Sequence, residues 1–126
     1  MFIDRRKTKN VANHLGKKLP VGAFFIGCNN APCRVTVSFW HPRFPYDSYV
    51  EGVSLIDGTT TSCSLVQCSP TPISEQKARE MVEFAKTHTW TDYLIKFRYG
   101  PFPSKEAENL FITEYHKMAD IWGWKK

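Results

Sequence analysis

Two alternating apolar segments on either side of a turn constrain this fold more than any other feature. Residues 21–26 (VGAFFI) and 34–40 (RVTVSFW) have the period of β-strands, and NNAP between them is turn-forming. Pairing Cys28 with Cys33 across a four-residue loop divides the side chains cleanly into two faces. We therefore predict an antiparallel hairpin in this register, with the more apolar face toward the core. That core face would hold Phe24, Ile26, Cys28, Cys33, Val35, Val37 and Phe39, and the opposite face Ala23, Phe25, Gly27, Arg34, Thr36, Ser38 and Trp40.

Two more strands follow in the first half of the chain. Residues 50–56 and 59–67 flank Asp57-Gly58, a pair that favours a hairpin turn. SPTP (69–72) is predicted to break the chain's regular structure. Together with the first hairpin, these segments predict a four-stranded, small, bent antiparallel sheet or an SH3-like barrel.

The second half of the chain changes to helical spacing. Ser74 is predicted to cap a helix over 75–87, and Ser104 a last helix that follows GPFP. Between them, YLIKFRY (93–99) alternates and predicts a strand, so the fold class is α+β with a helix–strand–helix half. The predicted buried stripes are Ala78, Met81, Val82 and Ala85 in the first helix, and Ala107, Leu110, Phe111, Met118 and Trp122 in the second.

Length and composition favour one domain preceded by a basic arm. The chain has 126 residues, which suits a single domain of typical size. Residues 1–18 carry many basic side chains, with one helical turn expected around residues 11–15. We predict a basic arm over 1–18 and a single α+β domain over 19–126, with a β-rich half (19–70) and a helical half (74–122).

Two resemblances to known proteins are confined to short segments. YLIKFRYGPFPSKEAENL resembles the strand–Gly-Pro-Phe–helix unit of SPOR-type peptidoglycan-binding domains, over about one-seventh of the chain. The rest of the chain departs from that family, since no second such unit is present. LPVGAFF and VEGVSLIDG resemble segments of small β-barrel proteins encoded by bacteria and phages. The second resemblance implies no activity and no site residue, but it suggests a bacterial or phage origin.

Four cysteines form two pairs with the same C-x4-C spacing. Zinc takes four tetrahedral ligands, so Cys28, Cys33, Cys63 and Cys68 are candidate zinc ligands. The spacing differs from the usual C-x2-C, and an extended strand sends Cys63 and Cys68 to opposite faces. We therefore predict reduced structural thiols and no cofactor, with zinc and disulfides as alternatives.

The net charge of +5 suggests a polyanionic or acidic partner. A basic arm with exposed aromatic residues suits single-stranded nucleic acid, here through Arg34 and Trp40 on the first hairpin, with Phe25 and Thr36 on the same face. The alternative is that Phe25 and Trp40 pack under the C-terminal helices. No RNP-like or helix-turn-helix motif accompanies them. The candidate nucleic-acid-binding residues of the arm are Arg5, Arg6, Lys7, Lys9, Lys17 and Lys18.

Aromatic and arginine side chains in loops favour a protein-binding role instead. The prolines in PRFPYDSY fix part of a loop in advance, which lowers the ordering cost of binding. Tryptophan and arginine are common interface anchors, and DIWGWKK places two tryptophans near the end of the chain. The candidate partner-binding residues are Arg34, Trp40, Arg43, Phe44, Tyr46, Trp122 and Trp124.

We predict a small non-catalytic binding or regulatory protein, an accessory factor or inhibitor that engages a protein or a nucleoprotein complex. A single-stranded nucleic-acid-binding protein is the first alternative, and an enzyme with a convergent Cys/His site the second. No segment has a signal peptide's apolar region or a bilayer-spanning length. The expected location is therefore the cytoplasm, without a membrane partner.

Overall fold

The structure is a computed structural model that describes residues 11–126. It is an α+β fold whose chain groups into two compact units, one ending at Val82 and one covering Glu83–Lys126. The first unit contains the β-strands, and the second contains most of the helical residues. The single domain predicted over 19–126 stays a prediction.

A short hairpin over residues 11–19 lies almost entirely within the segment predicted as an arm, residues 1–18. Strands β1 (Val11–Ala12) and β2 (Lys18–Leu19) pair antiparallel, so the helical turn expected around residues 11–15 is not formed. The buried Asn13 explains the difference. Its side-chain oxygen accepts hydrogen bonds from the backbone N–H groups of Leu15 and Lys17, and its Nδ2 donates to the Pro70 carbonyl at 3.0 Å.

The main sheet has five antiparallel strands instead of the predicted four. They are β3 (Phe24–Ile26), β4 (Pro32–Phe39), β5 (Tyr49–Ser54), β6 (Thr60–Ser64) and β7 (Thr71–Ile73), in the order β6-β5-β4-β3-β7. The predicted β5–β6 hairpin is confirmed. Strand β7 was not predicted, because Pro72 argues against a strand in general but is tolerated at the edge of a sheet.

The predicted register of the first hairpin is wrong. Phe25 pairs with Cys33, whereas the prediction paired Ile26 with Val35. The shift is three residues, an odd number, so β3 turns its other face to the core. Phe25 is fully buried, and Phe24 and Ile26 are only half-buried. The longer loop 27–31, in which Asn30 adopts a positive φ of 63°, accommodates the shift.

A close contact between Phe25 and Gly52 organises the buried face of the sheet. A Cβ atom on Gly52 would lie 2.6 Å from Cε1 of the Phe25 ring, so only glycine leaves room for this ring. The alternation along β4 and β5 puts Val35 and Val50 on the same face as Gly52. The resulting core cluster comprises Val11, Leu19, Phe25, Ala31, Cys33, Val35, Val50, Cys63 and Leu65.

A β-bulge at Thr36 alters the second half of β4. The pairing passes from Val35–Gly52 to Val37–Glu51, which reverses the side-chain alternation. Ser38, predicted to lie opposite the core, is therefore fully buried. Its hydroxyl donates to the Leu19 carbonyl at 2.6 Å, which satisfies the buried polar group.

Helix α1 (Glu75–Thr87) confirms the prediction for residues 75–87. The Ser74 side chain accepts from the Lys77 N–H at 3.0 Å, and Ala78 and Met81 of the predicted stripe are buried. Among residues 11–126, no helix has both the length and the apolar character needed to cross a bilayer.

The strand predicted over 93–99 is wrong, because this segment is helical. Helix α2 (Trp90–Leu94) continues directly into a π-helix (Ile95–Tyr99). The Thr89 side chain caps it by accepting from the Asp92 N–H at 3.1 Å. The strand of the SPOR-like unit is therefore absent from this segment.

Helix α3 (Lys105–Trp122) begins at the predicted cap, since Ser104 accepts from the Ala107 N–H. Its predicted buried stripe is wrong in part. Leu110, Met118 and Trp122 are exposed, while Ala119 is buried. The half-buried stripe runs instead through Ala107, Glu108, Phe111, Ile112, Tyr115 and His116.

We predict that Gly52→Ala lowers the free energy of unfolding by about 1–3 kcal/mol, because the new methyl group overpacks the Phe25 ring. Urea denaturation measures this loss. The same substitution should cost less when Phe25 is already Leu, since leucine lacks the clashing ring atoms. Equal losses in the two backgrounds would show that the cost does not come from the Phe25 ring but from the Arg34 carbonyl oxygen, which would lie 2.9 Å from the same Cβ.

Candidate interaction surface

The loop between β4 and β5 holds three large aromatic side chains in solvent. Trp40 is 43% exposed, Phe44 59% and Tyr46 67%. The loop follows directly on the buried Phe39 and contains a short 3-10 helix (Pro45–Asp47). The sequence singled out all three residues as candidates, and the structure brings them into one loop.

The side chain of His41 holds the backbone of this loop. Its Nδ1 accepts hydrogen bonds from the Arg43 N–H at 3.2 Å and from the Phe44 N–H at 3.1 Å. Because Nδ1 accepts, the ring carries its proton on Nε2. The backbone N–H of His41 in turn donates to the buried Ser48 Oγ at 2.8 Å.

The His41 ring also links the buried and exposed aromatic side chains. It contacts Phe39 edge-on at 6.0 Å between ring centroids and Phe44 at 5.2 Å. His41 was not among the predicted site residues. The sequence feature that could have identified it is a histidine at the first position of the loop. Its ring can accept from the backbone N–H groups two and three residues later, which is the spacing of a capping side chain.

A cavity of about 540 Å³ opens beside Trp40. Its lining residues are Val11, Ala12, Asn13, His14, Gly16, Trp40 and Val66. Its volume is within the range of small-ligand pockets, and its lining is mostly apolar. The cavity therefore suits an apolar group of a partner, for example a large side chain.

The two candidate arginines in this unit are both exposed, but at different places. Arg43 belongs to the aromatic loop, whereas Arg34 lies on β4 among the residues opposite the core. The prediction that Arg34, Phe25 and Trp40 share one face is wrong. Phe25 is in the core. The bulge at Thr36 reverses the side-chain alternation between positions 34 and 40, so these two positions no longer belong to the same face of the sheet.

The candidate tryptophans of the second unit occupy the end of α3. Trp122 is 64% exposed, next to Ile121 at 69%, while Trp124 packs against Tyr115. The last residues are held in place, since Tyr115 Oη donates to the Lys125 carbonyl at 2.6 Å. Trp122 therefore projects from a structured end of the chain.

The basic residues predicted to contact nucleic acid are only partly described. Lys17 and Lys18 lie in the first hairpin and are exposed. Arg5, Arg6, Lys7 and Lys9 lie outside the described residues. Those first ten residues contain four basic and one acidic side chain, so residues 11–126 contain 13 basic and 11 acidic ones. The described part of the chain is therefore close to neutral.

The structure brings together Cys28 and Cys63, which belong to different C-x4-C pairs in the sequence. Cys63 is buried at the end of β6, and the chain turns after Ser64. The Cys28 Sγ lies 3.0 Å from the Cys63 Sγ, and the Cys68 side chain also interacts with it. Cys28 was predicted on the core face with Cys33, but Cys28 is exposed and Cys33 is buried.

Burial dominates the acid–base properties of these thiols. It raises the pKa of Cys28 to about 12, with the Cys63 thiol as the second cause, and the pKa of Cys33 to about 11. Both thiols therefore stay protonated at neutral pH. Among residues 11–126, no group of three or more His, Cys, Asp or Glu side chains is placed to hold a metal ion.

Comparisons with known proteins do not assign this chain to a family. No protein-family model, curated protein or solved structure matches the chain.

We predict that His41→Ala loosens the aromatic loop without unfolding the protein, because two backbone N–H groups lose their acceptor. Hydrogen exchange at Arg43 and Phe44 should accelerate by about tenfold or more, which corresponds to about 1.4 kcal/mol. Arg43→Ala is the matched control, since Arg43 contributes only its backbone to these bonds. Unchanged exchange in His41→Ala would contradict the capping role of the ring.

Proposed function

We propose that this chain is a small non-catalytic binding protein, an accessory factor or inhibitor that engages a protein partner, free or within a nucleoprotein complex. The observation that carries the proposal is an aromatic loop that is both exposed and internally held. A cytoplasmic location, a bacterial or phage origin and barrel-like closure of the sheet stay predictions that the proposal does not require.

The exposure of the loop's rings supports a binding role. Single exposed apolar residues are common on protein surfaces, but Trp40, Phe44 and Tyr46 lie within seven residues of one another. Large aromatic side chains contribute most to binding when a partner takes them out of water. The cavity beside Trp40 offers such a partner a recess for one apolar group.

The internal hydrogen bonds of the loop support it further. Ordering a flexible loop at an interface costs free energy, which a loop already fixed in the free protein avoids. His41 and Ser48 hold the backbone at both ends of the aromatic segment. Phe44 and Tyr46 therefore lie on a backbone that is already ordered, so binding through them costs little further conformational entropy.

The charge of the aromatic loop favours a protein over bare nucleic acid as the partner of this loop. Affinity for phosphate backbones depends on an excess of Lys and Arg. Only Arg43 contributes a basic side chain to the aromatic loop, which also contains Asp47. This surface suits a partner that offers apolar groups and few charges.

Capture from a lysate of the source cells, with and without nuclease, tests the proposal. We expect one protein that the chain retains after nuclease treatment and that the double variant Phe44→Ala/Tyr46→Ala loses by at least tenfold, about 1.4 kcal/mol. Val21→Ala is the control, because Val21 is 56% exposed but lies outside the loop. Trp122→Ala reports separately on the end of α3.

Titration of the purified partner against the same variants then measures affinity directly. Equal binding by wild type and the double variant would contradict a role for the loop. A partner lost on nuclease treatment, with oligonucleotide affinity that falls steeply with salt, would favour the nucleic-acid alternative.

A further inference from the structure

The loop 27–31 carries an exposed thiol directly over a buried one. Cys28 lies in this loop, and Cys63 lies in β6, 35 positions further along the chain. Their Sγ atoms are 3.0 Å apart, and the Cys28 N–H also donates to the Cys63 Sγ at 3.2 Å. This backbone hydrogen bond fixes the loop against β6, so the two sulfur atoms meet through the fold itself.

We infer that Cys28 and Cys63 form a redox dithiol, which a small-molecule disulfide converts into an intramolecular disulfide between the loop 27–31 and β6. The sulfur atoms have to approach by only about 1 Å to reach bonding distance. Cys33 is not a competing partner of Cys28, because its thiol turns toward Asn29 Oδ1 and the Ala31 carbonyl.

The difference in exposure assigns the two roles. Cys28 is exposed and meets the small disulfide, whereas Cys63 is 1% exposed and has the Cys28 sulfur 3.0 Å away. The Cys28 thiolate attacks one sulfur of the small disulfide, which forms a mixed disulfide and releases one small thiolate. The Cys63 sulfur then gives its proton to solvent, attacks the Cys28 Sγ and displaces the second small thiol. Two protein thiols are oxidised, and one small disulfide is reduced to two thiols.

The acid–base state of Cys28 determines how fast the first step runs. The attacking species is the thiolate, and the partial burial of Cys28, together with the neighbouring Cys63 and Cys68 thiols, raises its pKa to about 12. The reaction is therefore slow at neutral pH and accelerates with rising pH beyond the range in which an ordinary thiol has fully ionised. In an unfolded chain the reaction rate levels off at a lower pH, because its thiols ionise in the ordinary range.

Thiol counting after incubation with oxidised glutathione at alkaline pH tests the inference. We expect wild type to lose two of its four alkylatable thiols. The peptides that contain Cys28 and Cys63 should be linked to each other. Cys33→Ala and Cys68→Ser are the matched controls and should form the same link, whereas Cys28→Ser should form none.

Thermal unfolding gives a second measurement. The disulfide closes a loop of about 36 residues, so oxidised wild type should unfold several degrees higher than the reduced protein, and Cys28→Ser should show no such shift. A Cys28–Cys68 link, a glutathione adduct that persists on Cys28, a link between chains, or four thiols still free would each overturn the inference. Bound zinc that has to be removed before the thiols react would overturn it too.

Discussion

The packing of the Phe25 ring over Gly52 is the contact on which the rest of the first unit depends. A ring on β3 reaches β5 across the intervening strand only because Gly52 has no Cβ. With Phe25 turned inward, β3 pairs with β4 in the register Phe25–Cys33, and the connecting loop takes five residues. That loop then passes over the sheet, so that a Cβ on Gly27 would lie 3.1 Å from Thr61 Cγ2 and Cys28 meets Cys63.

The aromatic loop depends on a backbone feature of β4, the strand between β3 and β5. The bulge at Thr36 lets Ser38 turn inward to the Leu19 carbonyl while Phe39 remains buried. The chain leaves β4 immediately afterwards, and His41 and Ser48 fix the segment between β4 and β5. The buried residues of β4 therefore lead directly into the proposed binding surface, and their packing positions it.

Local patterns in the sequence predicted the elements better than their pairing. The α+β class, the β5–β6 hairpin and the buried face of α1 follow from alternation, a turn dipeptide and helical spacing. The register of β3 does not follow from these patterns, because residues 24–26 are all apolar and suit either face.

The helix over residues 90–99 carried two conflicting signals. Tyr93, Ile95 and Phe97 alternate, but Thr89 and Asp92 at capping distance, with Trp90, Tyr93, Leu94 and Phe97 at helical spacing, indicate the helix that forms. The aromatic loop was predictable from its prolines, whereas the Cys28–Cys63 contact depends on how the sheet is packed.

Nuclear Overhauser effects across the first hairpin test the central contact most directly. The register described here predicts cross-peaks from the Phe25 ring protons to the Gly52 Hα protons, and backbone cross-peaks between the strands at Phe25 and Cys33. Backbone cross-peaks that pair Ile26 with Val35, together with no effect between the Phe25 ring and Gly52, would contradict it. The core face, the position of Cys28 and the origin of the aromatic loop would then all need to be assigned anew.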